Sequence, residues 1–141
     1  MLDSLKTPLV LVGRILIAFM FMQSGYGKLT DLTGTAGYIA SGGLPNSTAL
    51  AGLTGAFELV SGLAILIGFK ARWAALVVAG FTLVASFLYH RYWTAAADQQ
   101  MVVQLLFMKN MAIVGGLLVI AALGPGPASL DEIDLRREGS A

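Results

Sequence analysis

The chain contains no cysteine, only one histidine and few charged residues, and each scarcity excludes a kind of chemistry. Without cysteine there are no disulfides, thiolate metal sites, thiol relays or lipids attached through sulfur. One histidine, with a single carboxylate inside the apolar stretches, offers too few ligands for a metal ion. Charged residues make up 12% of the chain, and the net charge of +1 gives no reason to expect a nucleic-acid partner. Redox chemistry would therefore require electrons carried by a bound molecule.

Long apolar stretches fill most of the 141 residues, which are 57% hydrophobic with a mean hydropathy of +0.78. A membrane-spanning helix needs about 20 mostly apolar residues, and four stretches qualify: 8–29, 49–69, 72–92 and 101–123. The first stretch contains Arg14 and lacks a small-residue cleavage site, so it is predicted to be a retained span and not a signal peptide. The sequence predicts an all-α fold, a transmembrane four-helix bundle in residues 1–124 with a short, loosely ordered polar tail, 125–141.

The basic residues that flank the spans predict an orientation, because Lys and Arg concentrate in cytoplasmic loops. One end of the bundle would hold the larger group: Lys6, Lys70, Arg72, Arg136 and Arg137. The other end would hold Lys28 and Arg91. Both termini are thus predicted to lie in the cytoplasm, with the protein in a lipid bilayer. The long outer connection, 30–48, is predicted to form a short surface helix over 32–40 that ends at Gly42 and Gly43.

Each apolar stretch carries an ionisable residue, and a charge at the centre of a lone helix costs about 2.5–3.5 kcal/mol. These residues are Arg14, Glu58, His90 and Lys109. From the helical rise, Glu58 and Lys109 lie at one level, about 12–13 Å from the outer end, and Arg14 lies about 8–9 Å closer to the cytoplasm. Glu58 is therefore predicted to pair with Lys109, Arg14 or both. Lys28 has two interpretations, a helix-end side chain that extends to the interface or a ligand-binding group.

A cluster of two cations and one carboxylate keeps an excess positive charge, which suits a quinone oxygen or a sulfur oxyanion. The candidate ligand-binding residues are Arg14, Lys28, Lys109 and Asn110. Glu58 and His90 are the candidate catalytic residues, for proton transfer, since imidazole titrates closest to neutral pH. The alternative interpretation is structural: the buried charges fix the helices in register, and His90 is an interfacial residue.

Short motifs occur along the chain in a familiar order and spacing. They are Gly13-Arg14, Ser24-Gly25-Tyr26-Gly27-Lys28-Leu29, Gly43-Leu44-Pro45, Glu58-Leu59-Val60-Ser61-Gly62, Lys109-Asn110 and Gly115-Gly116-Leu117. Over residues 8–124 this set resembles the DoxX family of small bacterial four-helix membrane proteins, and the resemblance implies a location in the bacterial inner membrane. The family takes its name from a subunit associated with thiosulfate:quinone oxidoreductase, and relatives are linked to redox and oxidative-stress systems. The polar residues that match are Arg14, Lys28, Glu58, Lys109 and Asn110. Some redox-linked relatives rely on cysteines, so the resemblance does not extend a thiol role to this chain.

Three functions are compatible with these residues, and whether the chain is an enzyme stays open. The first is a quinone-linked redox or oxidative-stress membrane subunit with a redox partner protein, because the chain has no haem, flavin or iron–sulfur motif of its own. The second is a non-enzymatic anchoring or assembly subunit. The third is a small transporter, which would require a homo-oligomer since four helices enclose little space.

Overall fold

A computed structural model describes residues 2–133, which form α-helices joined by short connections and contain no strand. The helices are α1 (Leu2–Thr30), α2 (Leu32–Ser41), α3 (Thr48–Ile67), α4 (Ala71–Tyr89) and α5 (Gln100–Leu123), with a 3-10 turn at Tyr92–Thr94. All but α2 are long and apolar enough to cross a membrane. The predicted all-α bundle of four spans, with a short helix after the first, is confirmed.

The bundle has two ends, which we name by the elements found there. The α2 end holds α2 and the last turns of α1 and α4, and the tail end holds the start of α4 and the residues that follow α5. The orientation of these ends in a membrane stays a prediction. Arg136 and Arg137, which contribute to that prediction, lie outside the described residues.

Most helix boundaries fall within a few residues of the predicted ones. The exception is α1, which begins at Leu2, so that Pro8 lies inside the helix and not in its first turn. Beyond the first turn of a helix, proline removes one backbone hydrogen bond and its ring crowds the carbonyl group four residues earlier. The connection between α3 and α4 is short, residues 68–70, and Gly68 adopts the left-handed region there with φ of 72°.

Helices α1 and α3 make the most extensive contact in the bundle, and α4 with α5 makes the next. Glycine permits the first of these contacts. A Cβ on Gly25 would lie 2.6 Å from the carbonyl oxygen of Gly55 and 2.6 Å from the amide nitrogen of Leu59. Such small residues let the backbones of two membrane helices approach closely. Helices α3 and α4, which follow one another in the chain, also pack together, with Phe57 and Phe81 5.0 Å apart between ring centroids, but this contact is less extensive.

The tail segment, which we define as residues 125–133, packs against the tail end of the bundle. Arg14 is 2% exposed, and it donates from Nη1 to the carbonyl oxygen of Pro125 (2.7 Å) and from Nη2 to that of Ala128 (2.5 Å). The side chain of Ser129 is also buried, beside Gly68. The prediction of a loosely ordered tail is therefore wrong for these residues.

The same segment caps α4. Both carboxylate oxygens of Asp131 accept hydrogen bonds from the backbone, Oδ1 from Lys70 N at 2.7 Å and Oδ2 from Ala71 N at 2.9 Å. An aspartate at this position satisfies amides that have no partner within the helix and interacts favourably with the helix dipole. The polar composition of the tail could not indicate that a helix start 60 residues away needed its carboxylate.

Candidate functional site

A cavity of about 350 Å³ lies at the α2 end and is lined by residues from all five helices. Much of its wall is apolar, including Met20, Phe21, Phe81 and Leu88. The polar groups of the lining include Lys28, Tyr38, Glu58, His90, Lys109 and Asn110. Small-molecule sites in proteins commonly combine such an apolar wall with a few convergent polar groups. The sequence-predicted site residues other than Arg14 therefore share one cavity.

The carboxylate of Glu58 pairs with Lys28, not with Lys109 or Arg14, so the predicted pairing is wrong. Lys28 Nζ lies 2.7 Å from Glu58 Oε2 and also donates to Ser24 Oγ at 2.7 Å. The side chain of Glu58 is 6% exposed and that of Lys28 is 24% exposed. A depth estimate based on Cα positions ignored the reach of the lysine side chain and the close approach of α1 to α3.

Arg14 lies at the tail end and does not line the cavity. Its guanidinium is occupied by the carbonyl groups of Pro125 and Ala128, so it does not form the predicted cluster with Glu58. Burial without a carboxylate partner is possible here because two carbonyl oxygens accept from the charged group. The contact assigns Arg14 a role in holding the tail segment.

Lys109 and His90 lie where a ligand in the cavity would meet them. Lys109 is exposed, and among the described residues no carboxylate lies within ion-pair distance of its amine. His90 is half-buried at the end of α4, and its backbone amide donates to the carbonyl oxygen of Ser86 at 3.0 Å. Of the two lysines in the described cavity wall, Lys28 is paired with a carboxylate and Lys109 is not. The roles of Lys109 and His90 in binding and proton transfer stay predictions.

Asn110 is held by Ser86 on α4, and Ser86 is in turn oriented by Thr82 of the same helix. Neither residue was among the site residues predicted from the sequence. The Asn110 Nδ2 atom donates to Ser86 Oγ at 2.9 Å, and Ser86 Oγ donates in turn to the carbonyl oxygen of Thr82 at 2.6 Å. Ser86 is fully buried. Thr82 and Ser86 are four residues apart, which places them on one face of a helix. That spacing was the available signal, since two hydroxyls on one face of a membrane span indicate a polar contact.

Two tyrosines close the cavity on the side of α2. The rings of Tyr38 and Tyr89 stack with centroids 4.7 Å apart, and the Tyr89 hydroxyl donates to the carbonyl oxygen of Ile39 at 3.1 Å. Burial, and to a lesser degree the neighbouring Tyr89, raises the pKa of Tyr38, so its phenol stays protonated at neutral pH. The short helix predicted to lie on the membrane surface thus also covers a cavity. No local pattern predicts this stack, because the two rings are 51 positions apart.

The fold and the site together define a small multi-pass membrane protein with a polar site inside a helical bundle. The DoxX family model matches residues 9–91. The inner membrane protein YqjF of Escherichia coli strain K12 is 41% identical over 124 residues, 88% of this chain and 90% of that protein. The inner membrane protein YphA of the same organism is 32% identical over 126 residues, covering 89% and 90%. The chain belongs to the DoxX family and is an integral inner membrane protein.

A more distant similarity extends beyond bacteria. The SURF4 family model matches residues 56–136. The Surfeit locus protein 4 homolog of Drosophila melanogaster is 25% identical over 135 residues, 90% of this chain but 41% of that protein. No solved structure matches the chain.

Proposed function

We propose that this DoxX-family protein is a quinone-linked redox subunit of the inner membrane, and that the cavity at the α2 end holds the quinone head group. The observation that carries the proposal is the composition of that cavity, in which apolar walls meet an ion pair, a lysine and an asparagine. A quinone has the matching chemistry, since a flat apolar ring carries two oxygens on opposite edges. Its apolar tail would extend into the surrounding bilayer.

Each polar residue has a role in this proposal. Lys109 donates a hydrogen bond to one oxygen of the ligand, and Asn110 contacts the same edge from the next position of α5. Reduction of a quinone to a hydroquinone takes two electrons and two protons. A partner dehydrogenase supplies the electrons, and Glu58 passes protons that reach the cavity by way of His90 at its outer edge.

Binding to the purified protein tests the proposal. The full chain in lipid nanodiscs is titrated with duroquinone or, without oxygen, with durohydroquinone, and the heat of binding is measured. We expect saturable binding of one molecule per chain, weakened by about tenfold in Lys109→Gln because a hydrogen bond to a charged group is worth about 1.5–3 kcal/mol. Asp98→Asn, which removes a charge from an exposed residue outside the cavity, should bind as wild type does. Absence of saturable binding of both ligands would contradict the proposal.

The short Lys28–Glu58 contact favours a second candidate, a non-enzymatic assembly subunit. A pair of charges that satisfy one another across α1 and α3 needs no ligand to be stable. In that case Glu58→Gln would lower the stability of the bundle and the recovery of a partner protein, and the wild type would bind neither form of the quinone. The two candidates are therefore separated by the same titration.

A further inference from the structure

We propose that the cavity binds the reduced, hydroquinone form of its ligand in preference to the oxidised quinone. This inference rests on the proposed function, and it concerns which hydrogen-bonding groups the wall presents. A quinone oxygen only accepts hydrogen bonds, whereas a hydroquinone hydroxyl both donates and accepts. The two forms are therefore distinguished by acceptor atoms in the wall.

The orientation of the Asn110 amide follows from the hydrogen bonds on α4. A serine hydroxyl has a single proton, and Ser86 uses it to donate to the carbonyl oxygen of Thr82 at 2.6 Å. Ser86 Oγ can therefore only accept from Asn110, and it does so from Nδ2 at 2.9 Å. Because the amide nitrogen must face Ser86, the amide oxygen of Asn110 is directed away from α4, and no described residue donates to it. The wall thus presents an acceptor at Asn110.

Glu58 supplies a second acceptor. Its Oε2 atom is occupied by Lys28 at 2.7 Å, and its other oxygen receives no hydrogen bond from the residues that the structure describes. Lys28 and Lys109 can donate to either form of the ligand, so they do not discriminate between them. A quinone would leave both acceptors without a donor inside a largely apolar cavity, and an acceptor left unpaired in such a place is costly. A hydroquinone can satisfy one of them with each hydroxyl.

Preferential binding of the reduced form has a consequence for the direction of electron flow. A site that binds one member of an equilibrium more tightly shifts that equilibrium toward the bound member. Binding the hydroquinone more tightly makes the bound quinone a better electron acceptor. The site therefore suits a subunit that takes electrons from a dehydrogenase, and not one that oxidises hydroquinone.

Three related ligands test the inference on the full chain in nanodiscs without oxygen. They are durohydroquinone, duroquinone and the dimethyl ether of durohydroquinone, which keeps the ring and both oxygens but has no O–H. We expect wild type to bind durohydroquinone at least about tenfold more tightly than either of the others. The ether control separates a requirement for hydrogen-bond donors from an effect of ring shape.

Two variants assign the preference to Asn110. Ser86→Ala removes the acceptor that orients the amide, so the preference should fall by at least about threefold, with the part that depends on Glu58 retained. Ser61→Ala is the matched control, since Ser61 is also a buried serine whose hydroxyl donates to a carbonyl oxygen one turn earlier, that of Phe57, but it does not line the cavity. Asn110→Leu should weaken binding of durohydroquinone by more than it weakens binding of duroquinone, and it tests the assignment if Ser86→Ala does not fold.

The outcomes separate this inference from the proposed function. Equal affinities for durohydroquinone and duroquinone would overturn the preference and leave the quinone site standing. A preference that is undiminished in folded Ser86→Ala and in Asn110→Leu would overturn the contribution of Asn110. Failure of all three ligands to bind would overturn both proposals.

Discussion

A carboxylate inside a membrane-length helix is stable only when a donor reaches it, and here the donor is Lys28 on the neighbouring helix. The pair spans α1 and α3, and Glu58 is nearly buried while Lys28 is partly exposed. An exposed ion pair is worth up to about 1 kcal/mol, and breaking a fully buried one costs about 3–5 kcal/mol. The geometry of this pair places it between those limits.

Removing Lys28 alone should therefore destabilise the protein more than removing both charges. We expect Lys28→Met to lower the free energy of unfolding by about 2 kcal/mol, because it leaves Glu58 buried and charged. The double variant Lys28→Met/Glu58→Gln should recover at least half of that loss. Denaturant unfolding in detergent micelles measures the free energy of unfolding of wild type and of both variants. Lys6→Met is the control, since it removes an exposed lysine at the tail end. Equal losses in Lys28→Met and the double variant would show that the loss does not come from leaving the Glu58 carboxylate unpaired.

At the scale of elements, the contact between α1 and α3 depends on glycine. Gly25 faces the backbone of α3, whereas a Cβ on Gly13, in the same helix, would meet no atom within 4 Å. Gly25→Ala should lower the free energy of unfolding by about 1–3 kcal/mol, since the clash is with backbone atoms that cannot rotate away. Gly13→Ala should leave it unchanged or raise it by up to about 1 kcal/mol through helix propensity. Thermal unfolding of the two variants compares them directly, and equal effects would contradict the close approach.

The tail segment is a second element whose position depends on few contacts. Asp131→Ala removes the carboxylate that caps α4, and the loss of a cap costs about 0.5–2 kcal/mol. We therefore expect a lower midpoint of unfolding and faster cleavage of the tail segment by a protease added at that side. Asp98→Ala, which changes an exposed aspartate at the α2 end, is the control. A tail segment equally resistant in both variants would show that the Asp131 cap does not hold it in place.

For the whole molecule, the sequence predicted the fold well because the bilayer restricts it. A chain with four apolar stretches of spanning length has to form helices, since hydrocarbon satisfies no backbone group. Glycine and proline residues near the ends of the apolar stretches then allowed the helix boundaries to be predicted to within a few residues. The exception is the start of α1, which was predicted at Pro8. The motifs shared with the DoxX family independently indicated the same four-helix architecture.

The site was predicted only in part, because its geometry depends on which helices approach each other. Residue depth along a helix places Glu58 and Lys109 near one level, and both do line one cavity. Depth alone could not show that Gly25 brings Lys28 within reach of that carboxylate. It also could not show that Arg14 would be satisfied by carbonyl groups of the tail segment. Composition and spacing thus identify which residues need partners, but the packing of the helices determines which partners they find.

The absence of cysteine makes the orientation of the whole molecule directly testable. Single cysteines can be introduced without removing native ones, at exposed Asn46 at the α2 end and at exposed Pro127 at the tail end. If Lys6, Lys70 and Arg72 hold the tail end in the cytoplasm, a membrane-impermeant maleimide added to intact spheroplasts should label Asn46→Cys and not Pro127→Cys. Labelling of Pro127→Cys should then appear only after the membrane is permeabilised. The reverse pattern would place the α2 end, with its cavity and His90, on the cytoplasmic side, and protons would then reach Glu58 from the cytoplasm.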